Sequence, residues 1–140
     1  MALPGNAARK FAIAVLGLGA VGFAVFGVQW FANPIGMAQQ LGIVLGNGDA
    51  TSDARAVYGG LELGFGLFLA YSALSPARRT QGLAAGALTL GGLGFARIAG
   101  IALAPDGVTR ATYSLLATDL IGIVVFTSAF LVSRNADRRT

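Results

Sequence analysis

Four long apolar runs, separated by short groups of polar, glycine and proline residues, dominate the pattern of this chain. The runs cover residues 11–31, 54–74, 83–103 and 109–132. Each run has the length of about 20 residues that a helix needs to cross the hydrocarbon core of a bilayer. The breakers between the runs include Pro34, Pro76 and Pro105, which predict short turns between antiparallel helices. We therefore predict one all-α domain over residues 1–140, an integral membrane four-helix bundle.

The connection between the first two runs, residues 33–53, is itself rich in apolar side chains. These are Ile35, Met37, Leu41, Ile43, Val44 and Leu45. The pattern predicts a short interfacial helix that begins at Pro34. Two interpretations stay open, a lid packed over the end of the bundle and a gate over a pocket. Trp30 ends the first run at the same place, where Trp commonly anchors a helix at the membrane interface.

Basic residues lie at the ends of the runs and predict how the bundle is oriented. The residues on one side of the predicted membrane are Arg9, Lys10, Arg78, Arg79, Arg134, Arg138 and Arg139. The opposite side holds mainly acidic residues with two arginines, so the positive-inside rule places both termini in the cytoplasm. Nine of the ten basic residues are Arg and the chain is rich in Ala and Gly, which favours a bacterium of high genomic GC content. We predict a multi-pass protein of the bacterial inner (plasma) membrane.

The amino-acid composition excludes several kinds of metal site and catalysis. With 55 % hydrophobic and 11 % charged residues, the chain departs from soluble proteins, which carry about 25 % charge. The absence of Cys and His excludes structural zinc, iron–sulfur clusters, disulfides and thiol or imidazole catalysis. We expect neither a metal nor another cofactor. Because the net charge of +4 comes from residues at helix ends rather than along one face, we expect no nucleic-acid partner.

Three glycines spell a dinucleotide-binding fingerprint that the context does not support. Gly17, Gly19 and Gly22 form GxGxxG, but the apolar run continues to Phe31 and no acidic residue follows at the required distance. Small residues in a membrane helix instead let neighbouring backbones approach closely. The second and third runs carry further glycines, at 59, 60, 64, 66, 86, 91, 92, 94 and 100. They predict that the second and third helices pack tightly, or alternatively that some of these glycines serve self-association.

Three charged residues, Glu62, Arg97 and Asp119, lie inside apolar runs. An ionisable side chain at the centre of a membrane helix costs about 2.5 to 3.5 kcal/mol, so each needs a partner, a water-filled cavity or a function. At 1.5 Å per residue they lie roughly 12, 9 and 15 Å below the outer ends of their runs. We therefore predict one polar cluster in the outer half of the bundle.

The cluster has more acids than bases, because Arg97 can neutralise only one of the two carboxylates. The other is then held neutral or faces water. Arg55, Tyr58 and Glu62 also fall on one face at i, i+3 and i+7. The candidate ligand-binding residues are Arg55, Tyr58, Glu62, Arg97 and Asp119, and the candidate catalytic residues are Glu62 and Asp119. The structural alternative is a buried ion pair plus a neutral carboxyl that fixes helix register.

Three features of the sequence resemble a known protein family. They are the run RAVYGGLELGFG from Arg55 to Gly66, Arg97 followed by Gly100, and the acid in the last run. The chain resembles a family of small bacterial four-helix membrane proteins of unknown function that are distantly similar to DoxX-like proteins. RAxYGGxExG is its most specific part. The resemblance implies a four-helix membrane bundle and brings no activity with it.

Three functions fit these features. The favoured one is a binding or accessory module, whose partners are membrane lipid, an amphiphilic small molecule, and a homo-oligomer or larger membrane complex. The second is a proton-linked small transporter that works as a homodimer. The third is a membrane-embedded isomerase or cyclase that uses Glu62 or Asp119 as general acid.

Overall fold

The computed structural model describes residues 5–137, and every regular element in that part of the chain is helical. The long helices are α1 (Gly5–Ala32), α3 (Gly48–Leu74), α4 (Arg79–Leu103) and α5 (Arg110–Asp137), and a short α2 (Pro34–Gln40) lies between the first two. A 3₁₀ turn, Pro76–Arg78, leads into α4. All four long helices are long and apolar enough to cross a membrane. The prediction of four spanning-length helices is thereby confirmed.

Local sequence explains where the helices begin and end. The Oδ1 atoms of Asn33 and Asn47 accept hydrogen bonds from the N–H groups of Gly36 and Ala50, at 3.0 and 2.9 Å, and so cap α2 and α3. The chain after α2 turns through Gly42, whose φ of 71° favours glycine. Since Asn47 starts α3 early, residues 48–53 of the predicted connection belong to the helix.

The helices pack most extensively in two pairs, α1 with α3 and α4 with α5, and each helix-to-helix contact between the pairs is smaller. Glycines allow the backbones of α1 and α3 to approach closely. A Cβ on Gly27 would lie 2.7 Å from the backbone nitrogen of Leu63, and one on Gly66 would lie 2.9 Å from the carbonyl oxygen of Ala20. The second and third helices, α3 and α4, which the glycines predicted to pack tightly, touch closely at Gly82, where a Cβ would lie 2.5 Å from the Cβ of Ser72, but their contact is smaller than that within either pair. Gly64 meets no atom within 4 Å of a built Cβ, so spacing alone did not show which glycines are used.

An apolar core fills the end of the bundle that contains the α3–α4 turn. We call it the packed half, and its buried members are Ala12, Val15, Leu16, Ala20, Leu69, Ala73, Leu83, Leu90, Phe126 and Ala129. The ring of Phe126 lies directly against Gly19 and Gly86, where any Cβ would collide with it. This ring fits only because both neighbours lack side chains.

The segment of residues 33–47, which we call the cap, covers the other end of α1. Trp30, Ala38 and Ala54 form a second buried cluster there, with Met37, Leu41 and Leu45 packed around it. Trp30 is fully buried, so it lies under the cap instead of anchoring the helix at an interface. The cap thus packs over the end of the bundle. That it acts as a gate over a pocket stays a prediction.

The outer surface of the long helices is apolar. Exposed side chains on it include Val21, Val25, Leu61, Leu67, Leu88, Phe95, Ile121 and Val124. Water-soluble proteins rarely expose such a continuous apolar surface. Together with the four spanning-length helices, this surface indicates a membrane protein. Arg138 and Arg139, used above for orientation, lie outside the described residues.

Candidate functional site

The first part of α3 is wound as a π-helix, Arg55–Gly60. Its hydrogen bonds run over five residues rather than four, so each turn holds more residues and successive side chains rotate less around the axis. Tyr58 and Glu62 consequently share a face, whereas Arg55 is turned away from it. The Nε of Arg55 donates to the carbonyl oxygen of Phe31 at 3.1 Å and ties α3 to the end of α1. The expectation that all three residues share one face therefore fails for Arg55.

The Tyr58 ring is held in place by Trp30. Their ring centroids lie 4.5 Å apart with an interplanar angle of 29°, which is a stacked arrangement. Gly59 makes this contact between α1 and α3 feasible, because a Cβ there would lie 3.0 Å from the backbone nitrogen of Phe31. Cap, α1 and π segment thus fix one aromatic wall of the site. Nothing in the residue pattern identified the π segment or the buried position of Trp30.

Arg97 pairs with Asp119. The Arg97 Nε donates to the Asp119 Oδ2 at 2.9 Å, which joins α4 to α5. The side chains are 25 % and 8 % exposed, so the carboxylate is the more deeply buried partner. Gly94, one turn from Arg97, faces α5, since a Cβ on it would lie 3.3 Å from the Cδ1 of Ile123 and in ordinary van der Waals contact with the Cβ of Asp119. The pair leaves the Nη groups of Arg97 without a partner among residues 5–137.

Glu62 is the acid that Arg97 does not neutralise. It is half-buried on α3, and its carboxylate makes no hydrogen bond or ion pair within the described part of the chain. In that same part, no group of three or more Asp or Glu residues could hold a metal ion. The excess of acid over base that the sequence predicted is therefore assigned to Glu62 rather than to Asp119.

These residues line one cavity of about 450 Å³. Its polar lining consists of Tyr58, Glu62, Arg97, Thr118 and Asp119, and its apolar lining includes Leu18, Phe23, Phe26, Leu90, Leu93, Leu115 and Phe126. Four of the five predicted ligand-binding residues thus meet in it, and Arg55 lies outside. Their predicted roles, including the candidate catalytic ones, stay predictions.

The cavity lies between the two helix pairs and is partly open. Leu41 and Ile43 of the cap line one end, and Phe126 of the packed half lines the other. Leu18 also lines it although its side chain is 75 % exposed, so the cavity opens to the surroundings beside α1. Sequence reasoning missed Leu41 and Ile43 as lining residues, because their apolar character fitted a cap equally well.

The described part of the chain is all-helical, has four helices long and apolar enough to cross a membrane, and holds a polar cluster inside an apolar cavity, features that indicate a membrane protein. The chain belongs to the family DUF4345, described as a domain of unknown function, which matches residues 11–130. No curated protein and no solved structure matches the chain. None of these comparisons supports the distant similarity to DoxX-like proteins, which stays a prediction.

Proposed function

We propose that this protein is a membrane-embedded binding module that holds a small amphiphilic molecule in the cavity between its helix pairs. The observation that carries the proposal is a mostly apolar cavity of about 450 Å³ with one uncommitted carboxylate, Glu62. Ligand pockets in proteins typically measure about 300 to 1,000 Å³ and combine apolar walls with a few polar groups. The cavity has both properties.

The arrangement of the walls fits an amphiphile. The polar groups come from α3, α4 and α5, where Glu62, Arg97 and Asp119 face one space. Apolar side chains from α1 and α4, such as Leu18, Phe23 and Leu93, complete that space. A polar head would contact the charged groups, and an apolar body would lie against these side chains. The opening beside Leu18 would give such a molecule a route from the membrane.

The location that we propose is the bacterial inner membrane, with both termini in the cytoplasm. Support comes from the bundle: Arg9, Lys10, Arg78, Arg79 and Arg134 lie at the ends of the helices that form one side of an antiparallel arrangement. The positive-inside rule assigns that side to the cytoplasm. Because the chain has no Cys, single cysteines can test this. In intact bacteria, the cysteine of Asp49→Cys should react with an impermeant maleimide, and that of Arg79→Cys should react only after lysis.

The binding function is tested by filling the cavity. Gly22 lines it, and a Cβ on Gly22 meets no atom within 4 Å, so Gly22→Phe should occupy the cavity without disturbing helix packing. Gly17 on the same helix is equally unobstructed but does not line the cavity, which makes Gly17→Phe the matched control. Native mass spectrometry of protein purified in detergent should show a bound small molecule on the wild type and on Gly17→Phe, but not on Gly22→Phe. Equal retention by all three, or no bound molecule on any, would contradict the proposal.

A further inference from the structure

We infer that the molecule bound in this cavity is a monocationic amphiphile, with its positive head beside Glu62 and the aromatic rings around it. This inference rests on the proposed function and gives the ligand a chemical class. The charge balance of the cavity and the aromatic rings that face the same space support it.

The charged side chains of the cavity do not neutralise one another completely. Among the residues that line the cavity, the charged ones are Glu62, Arg97 and Asp119. Arg97 and Asp119 are 2.9 Å apart and neutralise each other. Glu62 has no counterpart in the described part of the chain. With all three ionised, the cavity therefore carries one excess negative charge, and a single positive charge on the ligand would balance it.

Aromatic rings line the same space. Tyr58, Phe23 and Phe26 contribute to the cavity wall together with Glu62. The Tyr58 ring is fixed by its stack on Trp30, and the Phe23 ring by an edge contact with Phe65, at 4.8 Å between centroids. Aromatic faces attract organic cations, most strongly where water is scarce. A carboxylate among rings suits an ammonium head better than it suits a neutral or anionic one.

An anionic head is the reverse case. It could reach the Nη groups of Arg97, but it would lie in a cavity that holds two carboxylates and one guanidinium. Like charges inside one small cavity repel each other strongly, because the dielectric constant there is low. The same apolar body with a sulfate head should therefore bind more weakly than with an ammonium head.

The experiment compares three probes with one alkyl chain: decyltrimethylammonium, decyl maltoside and decyl sulfate. The protein is placed in nanodiscs of neutral lipid, so that membrane charge favours none of them. Trp30, the only tryptophan, stacks on the cavity residue Tyr58 and reports binding by its fluorescence. We expect saturable binding of the cation at least tenfold tighter than that of either other probe. Tighter or equal binding of decyl sulfate or decyl maltoside would overturn the inference.

Two variants test whether Glu62 causes the preference for the cationic probe. Glu62→Gln should weaken binding of the cation at least tenfold and leave the maltoside unchanged, whereas Asp49→Asn, on the first turn of α3 outside the cavity, should leave both unchanged. Unaltered cation binding by Glu62→Gln would contradict the assignment. If Glu62→Gln does not fold, the preference among probes on the wild type still decides, with Gly22→Phe showing whether the probe occupies the cavity. If decyl maltoside binds as tightly as the cation and Gly22→Phe removes that binding, the proposed function stands and the inference of a cationic ligand fails.

Discussion

The two ends of the bundle interior differ in how their apolar side chains are used. In the packed half, Leu16, Leu69 and Leu83 are fully buried, and Phe126 fits against glycines on two neighbouring helices. Around the cavity, Leu18 and Leu93 remain 75 % and 37 % exposed although they face the same interior. The difference indicates that close packing holds the helices together at one end. The charged groups lie at the other end, where packing is relaxed.

Phe126 marks the boundary between the two regions. Its ring is buried in the packed half and also forms one end of the cavity. About two helix turns nearer the start of α5, Asp119 binds Arg97. The same helix therefore takes part in dense packing and in the charged site, which predicts that substitutions on either side of Phe126 have different consequences.

The largest difference should come from truncating leucine in each region. Leu69→Ala should lower the free energy of unfolding by about 2 to 5 kcal/mol, because it leaves a void among fully buried neighbours. Leu93→Ala in the cavity wall should cost less than about 1 kcal/mol, because the residue is already partly exposed and the space beside it is open. Titration with denaturing detergent, followed by Trp30 fluorescence, measures both. Similar losses would mean that the cavity wall is as well packed as the core.

The next largest difference in stability should be between substitutions of the two acids, Asp119 and Glu62. Asp119→Asn should destabilise the protein by about 1.5 to 3 kcal/mol, because it weakens a charged hydrogen bond between α4 and α5. Glu62→Gln should change stability by no more than about 0.5 kcal/mol, since no such bond to Glu62 exists among residues 5–137. The same detergent titration compares them. A loss for Glu62→Gln equal to that for Asp119→Asn would favour the structural alternative, in which both acids fix the fold.

Glycines two residues apart on α3 give a third comparison. Gly66→Ala should cost about 1 to 3 kcal/mol, since its Cβ would lie 2.9 Å from the carbonyl oxygen of Ala20, a backbone atom that cannot move aside easily. Gly64→Ala meets open space and should be neutral or stabilise the helix by up to about 1 kcal/mol. Melting temperatures in one detergent suffice to rank them. Equal effects would contradict the close α1–α3 contact.

Some of this arrangement could be predicted from the sequence, for physical reasons that particular residues show. Hydropathy alone identifies four spanning-length helices, and the rise per residue brings Glu62, Arg97 and Asp119 to similar depth. The partner of Arg97 could not be chosen, because both acids were within reach and only the pairing of α4 with α5 decides between them.

The π segment shows a second limit of the residue pattern. Helical spacing of 3.6 residues predicted that Arg55 faces the same way as Glu62, and the wider turns at Arg55–Gly60 rotate it away. No residue type in RAVYGG requires a π-turn, so the pattern gave no reason to expect one. The glycines had the same ambiguity: Gly59 and Gly64 look alike in sequence, and only the first contacts α1.

The smallest effect should come from Ser72, a polar side chain buried in the packed half. Ser72 is fully buried, and its Oγ has no hydrogen-bond partner within the described residues. Ser72→Ala should therefore stabilise the protein by about 0.5 to 1 kcal/mol, because a buried hydroxyl without a partner is unfavourable. Ser133→Ala is the control: its hydroxyl lies 3.4 Å from that of Thr80, and losing this contact should cost about 0.5 kcal/mol. If Ser72→Ala instead lowered the stability, the Ser72 hydroxyl would make a favourable polar contact in the packed half. The contrast between the packed half and the cavity would then be weaker.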